Sequence, residues 1–83
     1  MSLGVVVRLG ESPGAEIVDV VAHGAAASVN LAVGDVINSV DGKPINSPSE
    51  LAAELSSKAP GAKVEIGYLH LYWQVNTTVI LAQ

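Results

Sequence analysis

The segment at residues 33–55, VGDVINSVDGKPINSPSELAAEL, constrains the fold of this chain more than any other. A short apolar run lies there between two turn signals, Gly34-Asp35 and Asp41-Gly42. Glycine accepts a positive φ without a Cβ clash, so Asp41-Gly42 predicts a tight hairpin turn after a strand at residues 36–40. Pro44 follows and cannot donate to a β-ladder, so the returning strand is predicted to be short.

The same segment then predicts the one clear helix, at residues 47–58. Its first residue is a serine that can cap the helix, and Pro48 falls at the first helical position. Glu50 stands three residues after the cap and completes a capping-box pattern. Leu51 and Leu55 are four residues apart and share one face, which we expect to face the core.

The rest of the chain reads as short strands and turns. Residues 4–10 and 16–22 are β-branched runs joined by a Pro-Gly turn at 11–15, which predicts a hairpin. Residues 23–31 are rich in alanine and predict a short helix, which Asn30 ends in a left-handed conformation. Alternating apolar residues predict two closing strands, on Val64, Ile66 and Tyr68 and then on Val75, Thr77, Val79 and Leu81.

This order predicts a single domain over residues 1–83. The fold class is α+β but mainly β. It is a small, partly open antiparallel barrel or sandwich of five or six strands, capped by two helices. A composition of 49% hydrophobic and 14% charged residues fits a compact fold and excludes intrinsic disorder.

Composition also excludes several functions. The net charge is −4, and the four basic residues are scattered, so nucleic-acid binding is not predicted. The chain has no cysteine, which excludes a disulfide scaffold and a thiolate zinc site. Its longest charge-free run is interrupted by polar side chains, so we expect this segment not to insert into a membrane.

Catalysis within the chain is not predicted either. The two histidines, His23 and His70, are 47 positions apart, and no third ligand stands at a metal-site spacing from them. His23 can be combined on paper with Asp19 or Asp35, but nothing resembles a nucleophile elbow. Asp35 and Asp41 are turn formers first. We therefore predict no catalytic residue, no metal and no cofactor.

Three stretches carry a resemblance to a known family: SLGV at residues 2–5, HGAAASVNLAVGDVINSVDGKPINSPSELAAEL at 23–55, and APGAKVEIGYL at 59–69. Together they cover nearly the whole chain and resemble a bacterial PDZ domain, most closely those of HtrA-type, trypsin-like serine proteases. The most specific tag is GDVI at residues 34–37. The chain departs from the family at Asn30, where glycine is usual, and at HLYWQ, residues 70–74, where a polar turn is usual.

The resemblance implies a peptide-binding groove between a strand edge and a helix. The backbone amides of Leu3, Gly4 and Val5 would hold a terminal carboxylate, and Val5, Val6 and Val7 would pair with the peptide. Glu50 and Glu54 then have two interpretations, as groove residues that favour basic peptides or as a solvated face. The helix residues expected toward the groove or solvent are Glu50, Ala53, Glu54 and Ser57.

By resemblance, the module recognises protein C-termini or exposed apolar segments, and it recruits substrate to an attached HtrA-type protease domain or regulates that domain. The resemblance also implies a cell-envelope location, periplasmic or extracytoplasmic, in a larger parent protein with or without a membrane anchor. Two alternatives stay open: a PDZ domain of a carboxyl-terminal processing or intramembrane protease, and a purely structural or assembly module. Tyr72 and Trp73 either pack on the closing hairpin or form an exposed contact with a protease domain or sister subunit.

Overall fold

The computed structural model describes residues 3–82 and has six strands and one α-helix there. The strands are antiparallel and form one open sheet in the order β1-β2-β3-β5-β6, with β4 paired to β3. The mainly-β antiparallel architecture is therefore confirmed. The elements are β1 (Val5–Arg8), β2 (Ala15–Val20), a 3-10 helix (Ala27–Val29), β3 (Val36–Val40), β4 (Lys43–Pro44), α1 (Pro48–Ser56), β5 (Lys63–His70) and β6 (Trp73–Ile80).

The prediction of two capping helices is only half right, because residues 23–31 form a single 3-10 turn at Ala27–Val29. A helix nucleus is costly, and this segment is too short to offset that cost despite its alanines. The hydroxyl of Ser28 also donates to the carbonyl of Ala25 at 2.7 Å, a local alternative to helical pairing. Asn30 ends the turn at φ 67, the left-handed conformation that its side chain tolerates.

The turn between β3 and β4 has the predicted geometry. Asp41 and Gly42 both have positive φ, at 51° and 80°, and Val40 pairs with Lys43 across them. Two positive φ values define a type I′ turn, whose twist matches that of the strands it joins. The returning strand β4 has only two residues and pairs with β3, as the proline at its second position predicts.

Helix α1 begins and ends close to where the sequence predicts. The hydroxyl of Ser47 accepts a hydrogen bond from the Glu50 amide at 3.2 Å. The Glu50 carboxylate accepts from the amide of Asn46 at 3.0 Å, one residue earlier than a standard capping box requires. Leu51 and Leu55 are the buried residues of the helix. Within residues 3–82, no helix has the length and apolarity needed to cross a bilayer.

The core lies between the sheet and α1. Ile17, Ile37 and Ile66 are completely buried there, and Leu51 and Leu55 close it from the helix side. Burial of each such side chain contributes roughly 1.5–3 kcal/mol to folding. The core therefore fixes the sheet and α1 relative to each other and leaves one flank of the helix beside β1.

The closing hairpin turns on Leu71 and Tyr72, because His70 pairs directly with Trp73. Leu71 adopts φ 54, a left-handed conformation that costs a residue with a Cβ roughly 1–2 kcal/mol. Leu71, Tyr72 and Trp73 are 73%, 95% and 71% exposed. The interpretation in which the two aromatic side chains pack on the hairpin is therefore wrong, and their contact with a partner stays a prediction.

An ionic network ties the β3–β4 turn to α1 and β5. The Asp41 carboxylate accepts from the Glu65 amide and from the ammonium of Lys58, both at 2.8 Å. These two hydrogen bonds hold the pKa of Asp41 below its ordinary value. Glu54 lies 3.1 Å from the ammonium of Lys43 and 3.6 Å from that of Lys58, and its pKa is also lowered.

The Asp41→Asn variant should lose part of the acid sensitivity of folding. The folded pKa of Asp41 lies below the unfolded value of about 3.9, so its contribution is complete above that pH and is lost as pH falls through the folded pKa. The wild-type unfolding free energy should therefore drop more steeply below about pH 4 than that of Asp41→Asn, which still tolerates positive φ. Urea titrations between pH 3 and 7 measure this difference, with Asp19→Asn on exposed β2 as the control. Parallel curves for wild type and Asp41→Asn would contradict the prediction.

Candidate peptide-binding groove

A groove lies between β1 and α1. β1 is the last strand of the sheet, so no strand within residues 3–82 pairs with its outer edge. The groove has a volume of about 250 Å³. Its lining residues are Leu3, Gly4, Val5 and Val7 from the β1 side, and Pro48, Leu51, Ala52, Leu55 and Ser56 from the helix.

The groove lining is almost entirely apolar. Among residues 3–82, Ser56 is the one lining residue with a polar side chain, and no lining residue is charged. Leu51 and Leu55 are 3% and 8% exposed, so they form both the floor of the groove and part of the core. Ala52 and Ser56 are exposed at its rim. Such a surface suits apolar side chains of an extended chain.

Two main-chain hydrogen bonds fix the loop at residues 3–4, which lies at one end of the groove. The Leu3 carbonyl accepts from the Ala26 amide, and the Gly4 carbonyl accepts from the Val21 amide, both at 2.8 Å. In a trans peptide the N–H points opposite to the carbonyl of the same unit. The amides of Gly4 and Val5 are therefore directed away from β2 and the 3-10 segment, toward the groove side. The peptide unit that carries the Leu3 amide begins at Ser2, which lies outside the described residues.

Alternation along β1 decides which residues present main-chain groups at the outer edge. Because the Val21 amide donates to the Gly4 carbonyl, Gly4 and Val21 form a hydrogen-bonded pair. The next pair, Val5 and Val20, is therefore a non-hydrogen-bonded one, and the main-chain N–H and C=O of Val5 point away from β2. The next residue, Val6, lies opposite Asp19 and is directed to β2. Of the three residues predicted to pair with a peptide, we therefore expect Val5 and Val7 to present their main chain at the open edge. Val6 is 50% exposed and does not line the groove.

Two glycines allow the loop to approach the segment behind it. Gly4 has φ 80, and a Cβ placed there would lie 3.1 Å from the Cα of Gly24. A Cβ on Gly24 would lie 3.2 Å from the Cα of Gly4 and 3.1 Å from the Val21 carbonyl. All three distances are too short for a relaxed contact. Sequence reasoning identified Gly4 but missed Gly24, and the only available signal was a glycine ahead of the alanine cluster.

Of the two interpretations of the helix residues, toward the groove or toward solvent, the structure fits the second. Glu50, Ala53, Glu54 and Ser57 are absent from the lining. Glu50 caps the helix, Glu54 pairs with two lysines, and the Ser57 hydroxyl donates to the Glu54 carbonyl at 2.7 Å. The helix instead turns Pro48, Ala52 and Ser56 toward the groove. These residues are four apart and adjacent to the stripe of Leu51 and Leu55, so helical spacing was the signal that could have found them.

The structure pairs His70, and not His23, with Asp35. The His70 Nδ1 lies 2.6 Å from the Asp35 carboxylate, whose other oxygen accepts from the Ala32 amide at 3.0 Å. Asp35 is 2% exposed, which makes it a buried anchor of the turn before β3. The two residues are 35 apart in sequence, and no local pattern links them.

Fold and groove together match one family. A family profile described as "PDZ domain" matches residues 2–81, and the chain belongs to the PDZ domain family. The predicted likeness to HtrA-type proteases is confirmed by its relatives. The chain is 48% identical over 68 residues to serine protease PepD of Mycobacterium tuberculosis and 37% identical over 70 residues to periplasmic serine endoprotease DegP of Escherichia coli. These matches cover 81% and 84% of this chain but only 15% of each relative's length.

Solved structures agree. The HtrA-type protease AlgW, solved with a decapeptide, superposes with a TM-score of 0.88 at 28% identity over 98% of this chain and 28% of that one. The HtrA3 PDZ domain, bound to the phage-derived ligand FGRWV, has a TM-score of 0.76 at 18% identity over 98% of this chain and 82% of that one. The second likeness shows the fold alone.

Proposed function

We propose that the groove binds the C-terminal segment of a protein by adding it as a strand to the open edge of β1. One observation carries this proposal: β1 is the last strand of the sheet within residues 3–82, and an apolar groove runs between it and α1. A terminal carboxylate would accept from the amides of Leu3, Gly4 and Val5, as anions do in concave sites of successive N–H groups. Val5 and Val7 would supply the ladder hydrogen bonds.

The apolar lining determines the side chains that the groove accepts. In an added strand, alternate side chains point toward the helix, so the last residue and the second residue before it enter the groove. Between Leu51, Leu55 and Val5, an apolar last residue removes the most apolar surface from water. Only a few residues are ordered on binding, so affinities near the micromolar range are expected.

In its parent protein, the module would recruit substrates to an attached serine protease domain or regulate that domain. This chain would supply binding and the protease domain the chemistry. PepD and DegP are serine proteases, and AlgW was solved with a peptide, which supports this assignment. DegP and DegQ of Escherichia coli are named as periplasmic, which supports a cell-envelope location for the parent.

The test is a fluorescence-polarisation titration with free-acid peptides and their C-terminally amidated twins. Apolar-ended free-acid peptides should bind, and their amidated twins should bind at least about tenfold more weakly, because the amide removes a charge-assisted set of hydrogen bonds. Equal binding of both forms would rule out carboxylate recognition and leave internal strand addition. Absence of binding by either form would favour an assembly role for the same edge.

Adjacent alanines on α1 provide a matched pair of variants. Ala52 and Ala53 are both exposed, but only Ala52 lines the groove. Ala52→Glu brings bulk and a negative charge into the groove that would hold the peptide and should weaken binding about tenfold or more, whereas Ala53→Glu should leave it within about twofold. Equal effects of the two substitutions would mean that the peptide does not lie in this groove.

A further inference from the structure

The sheet has a second open edge, along β6. This strand is the end strand opposite β1, so within residues 3–82 it has β5 on one side and no strand on the other. It is eight residues long and pairs with β5 without a break in register. Its sequence, WQVNTTVI, contains neither a charged residue nor a proline. A long, uncharged edge strand of this kind is open to pairing with another strand.

The β1 edge differs in each of these respects. β1 has four residues, ends on Arg8 and is interrupted by a bulge between Val6 and Val7. Short length, charge and bulges are the features that keep the edge strands of natural proteins from associating with each other. β6 has none of the three, so it is the edge that favours association between folded copies.

Alternation along β6 identifies the main-chain groups at its open side. The Leu81 amide donates to the Ala62 carbonyl at 2.9 Å, so these two residues form a hydrogen-bonded pair. The register of β5 against β6 continues from this pair one residue at a time, so every second residue of β6 is bonded to β5. The residues between them turn their main-chain N–H and C=O away from β5 and have exposed side chains; they are Gln74, Asn76, Thr78 and Ile80.

We propose that β6 is an assembly edge, at which two copies of this chain pair antiparallel about a two-fold axis with Thr77 opposite Thr77. Asn76 then lies opposite Thr78 of the second copy, and Gln74 lies opposite its Ile80. All four outward residues of one copy find partners among the same four of the other, so the open main-chain groups of both edges are paired. A symmetric pair in any other register leaves at least one of the four without a partner from this set.

The charge distribution permits a second copy at this edge. The net charge of −4 makes two copies repel each other in general, but β6 carries no carboxylate. The one acidic residue on β5 is Glu65, which pairs with Thr78. Across the axis Thr78 meets Asn76 of the second copy, whose own neighbour on β5 is Gly67. Glu65 therefore faces no acidic group, and the central pair of threonines is a favourable cross-strand contact.

The size of the contact determines its strength. Residues 74–80 span roughly 24 Å at about 3.4 Å per residue. One added strand pair falls short of the roughly 1,200 Å² that a stable specific interface buries, so we expect a weak dimer with a dissociation constant of about 0.1–1 mM. A parent protein that held several copies at an effective concentration of about 1 mM would populate this contact.

Disulfide trapping tests the register. The chain has no cysteine, so a single introduced one reports on a single contact. Thr77→Cys would place two thiols across the axis on Cα atoms about 4.5 Å apart, which a disulfide can span. Asn76→Cys is the matched control, because in this register its two Cα atoms are roughly 9 Å apart, which is too far for a disulfide.

The exposure of the two positions makes this control stringent. Asn76 is exposed and Thr77 is half-buried, so random collisions would favour oxidation of the control. In a glutathione redox buffer at about 0.1 mM chain, Thr77→Cys should nevertheless form covalent dimers at least about fivefold faster than Asn76→Cys.

Two double variants test the contact without a covalent bond. Both carry Thr78→Lys, and one adds Asn76→Lys where the other adds Asn76→Glu. Residue 76 of one copy lies opposite residue 78 of the other, so the first variant opposes two lysines and the second opposes a glutamate to a lysine. Sedimentation equilibrium at up to about 1 mM chain should show dimerisation weakened at least about fivefold in the first and retained in the second. Thermal unfolding verifies that both variants fold.

The outcomes separate this proposal from the peptide-binding groove. Faster trapping of Thr77→Cys, together with loss of the dimer in the lysine–lysine variant alone, supports the β6 contact. A wild type that stays monomeric at 1 mM, equal trapping of both cysteines, or a dimer that both double variants retain overturns it. All of these substitutions lie on β6, so peptide titration at the β1 edge should be unchanged by them, and failure of the β6 contact leaves the proposed function in place.

Discussion

Gly4→Ala should reduce affinity for free-acid peptides about tenfold or more, because it displaces the loop whose amides would hold the carboxylate. At φ 80 an alanine costs roughly 1–2 kcal/mol in backbone strain alone. Its Cβ would also lie 3.1 Å from the Cα of Gly24 and 3.4 Å from the Ala25 amide nitrogen. Both neighbours are backbone atoms, so relief requires movement of the loop and tilts its amides away from the peptide terminus.

Gly42→Ala is the matched control for backbone strain. Gly42 also has φ 80, but a Cβ placed there meets nothing within 4 Å, and the residue is far from the groove in the β3–β4 turn. Backbone strain should lower the unfolding free energy of the two variants by similar amounts, and only Gly4→Ala should lose peptide affinity. Thermal unfolding and peptide titration on the same samples separate the two effects. Equal affinity of Gly4→Ala and Gly42→Ala would refute the role given to the Leu3–Val5 loop.

Asp35→Ala should lower the unfolding free energy by roughly 2–4 kcal/mol, because it removes two hydrogen bonds at a buried site. Asp35 is 2% exposed, and its carboxylate joins the Ala32 amide at 3.0 Å to the His70 ring at 2.6 Å. Alanine leaves the part-buried Ala32 amide without that acceptor. Asp35→Asn keeps one acceptor oxygen and should therefore cost less.

Urea denaturation at pH 7 measures this cost. Asp19→Ala is the control, because Asp19 is an exposed aspartate on the neighbouring strand β2, and it should change the unfolding free energy by no more than about 0.5 kcal/mol. If Asp35→Ala unfolds as the Asp19→Ala control does, the buried carboxylate is not the anchor of the turn before β3.

Elements with local chemical signals were predictable from the sequence. Asp41-Gly42 determines its turn because both residues accept positive φ, and Ser47 and Glu50 mark the helix start through hydrogen bonds within four residues. The turn at Leu71 and Tyr72 has no such signal. It is imposed by the long register of β5 against β6, which leaves two residues to reverse the chain. The strain at Leu71 is thus the result of tertiary pairing overriding local preference.

The groove was predictable on one side only. The β1 side follows from a glycine ahead of a β-branched run and from the resemblance of that segment to the loop of a known family. On the helix side, Glu50, Ala53, Glu54 and Ser57 were expected toward the groove or solvent, because Leu51 and Leu55 were taken as facing the core alone. In the structure α1 overhangs the edge of the sheet, so its apolar stripe covers the core and borders the groove at once. Helical spacing limits the groove residues to positions beside that stripe, but how far the helix overhangs the sheet depends on packing between distant segments.

The double role of Leu51 and Leu55 has a consequence for how this chain can evolve. Truncation of either residue to alanine would remodel the ligand surface and also cost roughly 2–5 kcal/mol of folding free energy. A domain of this size has only about 4–12 kcal/mol in total, so such changes would be removed by selection for folding before any new preference could spread. Ala52 and Ser56 border the same groove from exposed positions. Divergence in ligand preference among descendants of this sequence should therefore be concentrated at those two positions.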